Sequence, residues 1–449
     1  MFWTVTLAWP TPWVVHYGGV TWARAGLTLV VVATIVSGFT ALFCALLSTA
    51  RHRSGFAWVL IAASLWVALE LVRSRVLSGF PWNLLGASQY RHVALIQVAA
   101  VTGVYGVSFV VAAVNAALAR VLCARPDRRD SLGAATAGGI AVTLAVMVGW
   151  LAPARAPGTT AIPVAVVQGN IDQGAKWDAA YVDRTLAIHR ALTTDAVRNG
   201  ARLVVWPETT VPLTDRGDAR WREIEALARD AGIYLLVGAP HGIGGTTRNS
   251  AYLFGPAGEL GRYDKRRLVP FGEYSPLDGW LGFLSVFAGG PISEFSAGTD
   301  PVVLATPLGR LAPSICYEAI FPADVRDFVA AGADVLINIT NDAWFGPTPT
   351  PYQHLALTTF RAVEHRAWLV RAANTGVSAF VAPDGRIVRA SPLFARGVLM
   401  GAITPRAQTT FYSRYGDVFA WSAVAFAAGV LCPLPSRLRH REAAEAVIT

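Results

Sequence analysis

Charge is scarce in this chain. Of its 449 residues, 15% are Asp, Glu, Lys or Arg and 53% are hydrophobic, whereas an ordinary soluble domain carries about 25% charged residues. That shortage excludes a chain that is soluble throughout. Lysine is scarcer still: Lys176 and Lys265 stand alone among 38 basic residues. Arginine fills the general basic positions, so the two lysines mark places that need a compact ammonium, or are chance under a biased composition. The net charge of +9 is spread out. No Lys/Arg block is interleaved with aromatics, which argues against nucleic acid; basic loops beside apolar runs account for the charge. There are four cysteines, Cys44, Cys123, Cys316 and Cys432, and no C-x-x-C, so neither a zinc site nor a disulfide framework is indicated. Three lie in or beside apolar runs, where a small buried apolar role is expected. Cys316 alone lies in a polar, strand-rich region. Internal repeats and low-complexity segments are absent. Residues 1–24 are rich in Trp and Tyr but lack the regions of a signal peptide, and read as an interfacial segment.

Apolar runs are what the chain has in quantity. Residues 27–50 carry no charge and exceed the ~20 residues needed to cross a bilayer. Further spans are expected at 56–72, 93–119, 132–152 and 418–435. The basic clusters at 51–53, 125–129 and 437–441 fall on alternate loops, hence on one side, which the positive-inside rule makes cytoplasmic. The long polar region between the fourth and fifth spans then faces the other way. Arg73, Arg75 and Arg91 run against the rule. Glu70 and Arg73, three apart, share a helix face. They read equally as a snorkelling interfacial pair or as the wall of a polar cavity.

Residues 160–405 change character. Strands are expected at 162–168, 203–206, 234–237, 249–254, 302–304, 311–315, 335–339, 368–371 and 377–381. Helices are expected at 180–199, 220–231, 323–331 and 353–364. Such alternation predicts an α/β layered domain, behind a Pro/Gly/Thr linker at 153–160.

The run Arg310-Leu-Ala-Pro-Ser-Ile-Cys316-Tyr317-Glu318 reads as a buried strand delivering a cysteine to its carboxyl end. Leu203-Val-Val-Trp-Pro207-Glu208 is a second strand, ending in an acid, and Tyr263-Asp-Lys265 opens a loop that carries a lysine. A thiol becomes an effective acyl acceptor when a base or a positive neighbour makes it a thiolate. A poorly solvated Glu208 suits a general base. Lys265 can stabilise both the thiolate and the oxyanion, with the Tyr317 N–H as a second donor. Nothing in this scheme needs a metal or a cofactor. Each residue has a plainer reading too: Cys316 as small core, Glu208 as a cap on the next turn, or a Cys/His pair with His241 or His354.

Taken together the motifs are more specific. They include Trp206-Pro207-Glu208, Leu268-Val-Pro-Phe-Gly-Glu273, Ile315-Cys316-Tyr317-Glu318, Asn341-Asp342-Ala-Trp344-Phe345-Gly346, Arg371-Ala-Ala-Asn374-Thr375-Gly376, Lys176-Trp177-Asp178, Gly79-Phe80-Pro81-Trp82 and Tyr412-Ser-Arg414-Tyr-Gly416-Asp417. The chain resembles the apolipoprotein N-acyltransferases, the membrane-bound branch of the nitrilase superfamily. The resemblance implies an α-helical transmembrane bundle carrying a nitrilase-like α-β-β-α sandwich. It implies Glu208 as base, Lys265 as electrostatic stabiliser and Cys316 as nucleophile. Glu273 and Glu318 would support the triad, and Trp177 and Tyr317 would shape the substrate pocket. The acyl donor would be a phospholipid, typically phosphatidylethanolamine, and the acceptor the lipid-modified N-terminal cysteine of an apolipoprotein. Residues 1–153 would form the membrane region, 160–405 the extracytoplasmic catalytic domain, 412–436 a last span and 437–449 a cytoplasmic tail. The place would be the bacterial inner membrane, and the membrane seat favours a monomer. Residues 270–291, rich in aromatics and glycine, would be a loop gating lipid entry or one packed on the spans. Met1-Phe-Trp resembles the middle of the family's membrane domain, implying an earlier start or a short form with fewer helices. A membrane-tethered carbon–nitrogen hydrolase would share the triad and is the alternative activity; a degenerate membrane binding protein is the non-enzymatic one.

Overall fold

The computed structural model describes residues 1–431 except 10, 13–14, 17–19, 77, 124–126, 152–160, 175–178, 271 and 275–294. Four described helices are long and apolar enough to cross a membrane. They are α1 (Trp22–Thr49), α2 (Gly55–Arg73), α3 (Val104–Cys123) and α4 (Arg128–Leu151). α1 leaves Leu27, Val30, Ile35 and Leu42 exposed, an apolar face of the kind that lipid covers. Cys44 is exposed on the same helix rather than buried, because α1 packs by one edge only. α2 is the hub: Val59, Ala62, Ala63, Val67 and Leu71 are buried in one cluster with residues of α3 and α4. Small residues at the crossings let the helices approach closely; a Cβ on Gly138 of α4 would lie 3.0 Å from that of Ala117 in α3.

The uncharged run 93–119 does not form one span. It gives two short helices, Val93–Ile96 and Ala99–Thr102, before α3 begins at Val104. The break is Gly103, at φ 66, a conformation glycine adopts without a Cβ penalty. A side chain there would also meet the Tyr412 ring at 2.6 Å. The N–H of Val104, left without a helical partner by the break, is taken by the Glu364 carboxylate, 2.9 Å away on the catalytic part. The last apolar helix, α9 (Val418–Leu431), packs on α2; residues 432–435 of the expected span lie outside the described residues, as do Cys123's side chain and Cys432.

Beyond the membrane helices lie two six-stranded sheets. The first contains β1 (Ile162–Gln168), β2 (Leu203–Val205), β3 (Tyr234–Ile243), β4 (Thr246–Gly255), β5 (Gly258–Asp264) and β12 (Gly397–Ile403), in the order β12-β1-β2-β3-β4-β5. The second contains β6 (Leu304–Thr306), β7 (Gly309–Ile315), β8 (Val335–Thr340), β9 (Leu369–Ala373), β10 (Ala379–Val381) and β11 (Ile387–Ala390), in the order β11-β10-β9-β8-β7-β6. β1-β2-β3 and β7-β8-β9 pair in parallel. Side chains alternate across the sheets. Val164 and Val166 enter the core between the sheets with Ile315, Ile337 and Val370. Ala165 and Val167 face outward to Val182 and Leu186 of α5 (Ala179–Arg198) and Trp221 of α6 (Ala219–Ala231). α7 (Pro322–Ala330) and α8 (Thr350–His365) cover the second sheet. The α-β-β-α sandwich is thus the fold.

α8 serves both halves. Leu355 and Ala362 belong to the sandwich core, while Leu357, Phe360 and Val363 belong to the cluster of the bundle. An apolar surface on both sides leaves no solvent face, so its charged residues must be paired inside. Glu364 accepts from Arg361 at 2.8 Å as well as from Val104. Burial pushes its carboxyl up to about 7, against the pull of Arg361.

Candidate active site

The parallel strands of both sheets end on one side, where Glu208, Cys316, Asn341 and Asn374 follow β2, β7, β8 and β9. Open α/β sheets place their ligand sites at such carboxyl ends. Glu208 leaves β2 through a tight turn with Thr209 at φ 49. That turn lies against Gly238 of β3, where a Cβ would stand 2.7 Å from the Glu208 Cα; only glycine fits there. The Glu208 carboxylate is buried and accepts the Asn249 Nδ2 at 2.7 Å, the Asn341 N–H at 2.8 Å and the Lys265 Nζ at 3.5 Å.

Lys265 follows β5 directly and is fully buried. Its ammonium is 2.8 Å from the Glu273 Oε1. Burial works against the charge, but Glu273, Glu208 and the Cys316 sulfur outweigh it and hold the pKa above the ordinary lysine value. The lysine is therefore a fixed cation rather than a group tuned towards neutrality. Glu273 is itself fixed by Asn249 at 3.1 Å and by the Val269 N–H at 2.9 Å.

Cys316 stands at the end of β7, at φ 51, and opens a 3₁₀ turn (Cys316–Ile320). Burial raises its thiol pKa and the Glu208 charge adds to that, while Lys265 and the Thr340 hydroxyl lower it. The resting group is a thiol, so its proton must leave as the sulfur attacks. The acid, the ammonium and the sulfur act on one another electrostatically, although 57 residues separate Lys265 from Glu208.

Glu318 is buried within the field of Lys265, and its own hydrogen bonds go to the lysine loop and the cysteine turn. One oxygen accepts the Tyr263 hydroxyl and the Arg266 and Arg267 N–H groups at 2.7, 2.7 and 3.1 Å; the other takes the Ile315 N–H at 2.7 Å. It staples the lysine loop to the cysteine turn. The Tyr317 hydroxyl reaches the Gly79 carbonyl of the bundle at 3.4 Å, and its ring meets Phe321 edge-on at 4.9 Å. Trp177 lies outside the described residues, as do 271 and 275–291 of the 270–291 run. Among the described residues no group of three or more His, Cys, Asp or Glu is arranged to hold a metal ion.

Several contributors have weak sequence signals. Asn249 sits mid-strand with nothing to mark it, yet bridges Glu208 and Glu273. Gln173 and Asn374 fix the Asn341 side chain at 2.6 and 3.0 Å; Asn341 and Asn374 fall in motifs already singled out, without a role. Of the two histidines considered for a Cys/His pair, His241 bonds Tyr252 and Arg262. His354 is beside Cys316, but its Nε2 meets the carbonyl oxygen at 3.3 Å, so neither reads as the base of the sulfur. The Phe345 ring packs on Trp9, Trp82 and His354.

Glu70 and Arg73 do not snorkel. Both are buried under the loop that follows α2. Glu70 accepts the Leu85 N–H at 2.6 Å and the Trp66 Nε1 at 3.0 Å. Arg73 donates to the carbonyls of Phe80 and Trp82 at 3.0 and 2.7 Å. They brace the Gly79-Phe80-Pro81-Trp82 loop against the site. Arg75 pairs with Asp417 and Arg91 stacks on Tyr90 at 5.3 Å, so these exceptions to the charge rule have partners in the protein.

Both parts of the chain have known relatives. Residues 163–412 match the carbon-nitrogen hydrolase family, and residues 1–117 match the apolipoprotein N-acyltransferase N-terminal domain. An apolipoprotein N-acyltransferase of Geobacter metallireducens is 39% identical over 434 residues, covering 94% of this chain and 83% of that protein. One of Azotobacter vinelandii is 36% identical over 426 residues, covering 90% and 80%. Among solved structures, an amidase of the nitrilase superfamily from Nesterenkonia AN1 superposes with a TM-score of 0.43 at 22% identity, over 55% of this chain and 92% of that one.

Proposed function

Since this chain belongs to the apolipoprotein N-acyltransferase family, we propose that it moves an acyl chain from a membrane phospholipid to the N-terminus of a lipoprotein through a thioester on Cys316. The observation that carries the mechanism is the arrangement of Lys265, held between Glu208 and Glu273, with the half-buried Cys316 thiol in the field of Lys265 and Glu208.

In the first half-reaction the Cys316 sulfur attacks an ester carbonyl of the phospholipid as its proton passes to Glu208. Lys265 and the N–H of Tyr317, at the start of a helical turn where N–H groups have no partner in the helix, receive the oxyanion. Glu208 returns the proton to the departing glycerol oxygen. A lysophospholipid leaves and the thioester remains. In the second half the α-amine of an S-diacylglyceryl cysteine attacks the thioester and loses its proton to Glu208. The C–S bond breaks, the amide is complete, and Cys316 recovers its proton. Phosphatidylethanolamine is the expected donor. Both substrates are anchored in a bilayer, which suits a site whose Tyr317 touches the helical bundle. Exclusion of water separates a transferase from a lipase.

The domains follow the same reading: 1–153 in the membrane, 160–405 catalytic, 412–436 the last span and 437–449 the tail. The basic loops orient the catalytic part away from the cytoplasm of a bacterial inner membrane, and the bundle seats it as a monomer. The test is incubation of the purified full chain with phosphatidylethanolamine vesicles and a diacylated lipopeptide, read by intact mass. An acyl adduct on the protein, absent in Cys316→Ala, followed by an amide-linked third chain on the peptide, is the expected result. Free fatty acid without peptide product would make the protein a hydrolase.

A further inference from the structure

The Cys316 backbone occupies a left-handed conformation, at φ 51. A non-glycine residue holds such a conformation only where its surroundings over-determine it. The surroundings here close on the carbonyl oxygen. Asn338 Nδ2 and His354 Nε2 each approach it at 3.3 Å. Both donors are buried and aligned from behind. Arg371, also buried, bonds the Asn338 Oδ1. It points Nη2 at Asp342 Oδ2, 2.8 Å away, and at His354 Nδ1, 3.0 Å away. Asp342 Oδ1 lies 3.2 Å from His354 Nδ1 and takes the Thr340 hydroxyl at 2.9 Å. Burial and the Arg371 charge lower the His354 pKa and outweigh Asp342 and the Cys316 carbonyl, which raise it. A neutral ring whose Nδ1 accepts from Arg371 carries its proton on Nε2, and that N–H points at the Cys316 carbonyl.

The membrane part forms the other side of the histidine. The Trp82 ring lies 5.8 Å from the imidazole, and its Nε1 donates to Gln353 at 3.0 Å. Trp82 is in turn held by Arg73 of α2 through its carbonyl. We propose that His354 is a positioning residue for acyl transfer: its Nε2–H grips the Cys316 carbonyl, keeps the left-handed turn that presents the sulfur to Glu208 and Lys265, and is itself seated by the Trp82 loop of the membrane bundle. His354 thereby links the seating of the catalytic part on the bundle to the aim of the nucleophile. This rests on Cys316 being the acyl acceptor.

The experiment follows single-turnover acylation of Cys316 from phosphatidylethanolamine vesicles by intact mass, on the full-length chain. His354→Gln places an amide nitrogen near the position of Nε2, whereas His354→Leu keeps the volume and removes the donor. A misplacement on the ångström scale can cost ~10²-fold in rate. We expect His354→Leu to lose about that factor in kcat with KM for the vesicle lipid changed less than about threefold, and His354→Gln to recover about tenfold of it. Wild-type acylation rates in His354→Leu overturn the proposal, as does a His354→Gln no faster than His354→Leu at equal Tm. If His354→Leu does not fold, His354→Asn replaces it, since its amide is too short to reach the carbonyl; equal rates for His354→Asn and His354→Gln then overturn the proposal. No adduct on the wild-type protein defeats the thioester reading instead, so the two failures are distinguishable.

Discussion

Two acid–base sets, one in the helical bundle and one in the catalytic part, are used differently. In the bundle, Glu70 and Arg73 are neighbours on one helix and, among the described residues, face no other charged side chain in their hydrogen bonds: Glu70 takes the Leu85 N–H and the Trp66 indole, Arg73 the carbonyls of Phe80 and Trp82. In the catalytic part, Glu208 and Glu273 are also held by Asn249 and by backbone N–H groups, but both in addition face the Lys265 ammonium, which acts with Glu208 on the Cys316 sulfur. A charged group whose partners are backbone amides and carbonyls fixes a shape. One whose partners are other charged groups, beside a nucleophile, can exchange a proton and receive charge. Burial is common to both sets; the identity of the partners decides the role.

The largest effect that breaks the comparison is at the ammonium. Lys265→Met should lower thioester formation by about 10³-fold, the scale of losing a main oxyanion donor. It should also destabilise the protein by about 3 kcal/mol, because Glu208 and Glu273 are left buried without their cation; acyl-adduct kinetics and thermal melts measure the two. Arg73→Met should leave the triad intact and loosen its brace. Its expected cost is about tenfold in acylation with a lower melting temperature, and a loss as large as that of Lys265→Met would show that the bundle pair takes part in the chemistry.

The interface between the regions gives a pH test. The Glu364 carboxyl, raised from 4.5 to about 7, binds its proton more tightly folded than unfolded. The protonated form's contribution is complete below the unfolded value and is lost as pH rises towards the folded one. Melting temperature should therefore fall between about pH 4.5 and 7, by the equivalent of about 3 kcal/mol. Glu364→Gln should flatten that slope; an unchanged slope would assign it to other groups. The smallest effect is at Arg75, whose side chain is 44% exposed opposite Asp417. Arg75→Ala should shift stability by under ~1 kcal/mol and leave acylation unchanged.

Much of this was legible in the chain. Length and hydropathy mark α1, α2 and α4. The mostly apolar runs Ile162–Val167, Leu311–Ile315 and Val335–Ile339 mark strands covered on both faces, although Ser314 and Asn338 interrupt two of them. β5, β11 and β12 were not legible, because β5 and β11 are partly exposed and β12 is half-buried along most of its length, so none shows a strong period. The break at Gly103 was hidden by an apolar run on both sides; its cause, the Tyr412 ring, lies some three hundred residues away and is visible only in the fold.

The sequence by itself determined the composition of the two halves, the acid, lysine and cysteine at the ends of their strands and loops, and the family to which the motifs belong, because local pattern and residue chemistry are written along the chain. The tertiary structure alone decided that Glu318 ties the lysine loop to the cysteine turn, that Glu70 and Arg73 brace a loop, and that His354 meets a carbonyl rather than a thiol. Those are questions of which atom faces which, and hydrogen bonds and charge interactions fall off over a few ångströms. Only the packing of the two sheets on the bundle brings such groups within that range.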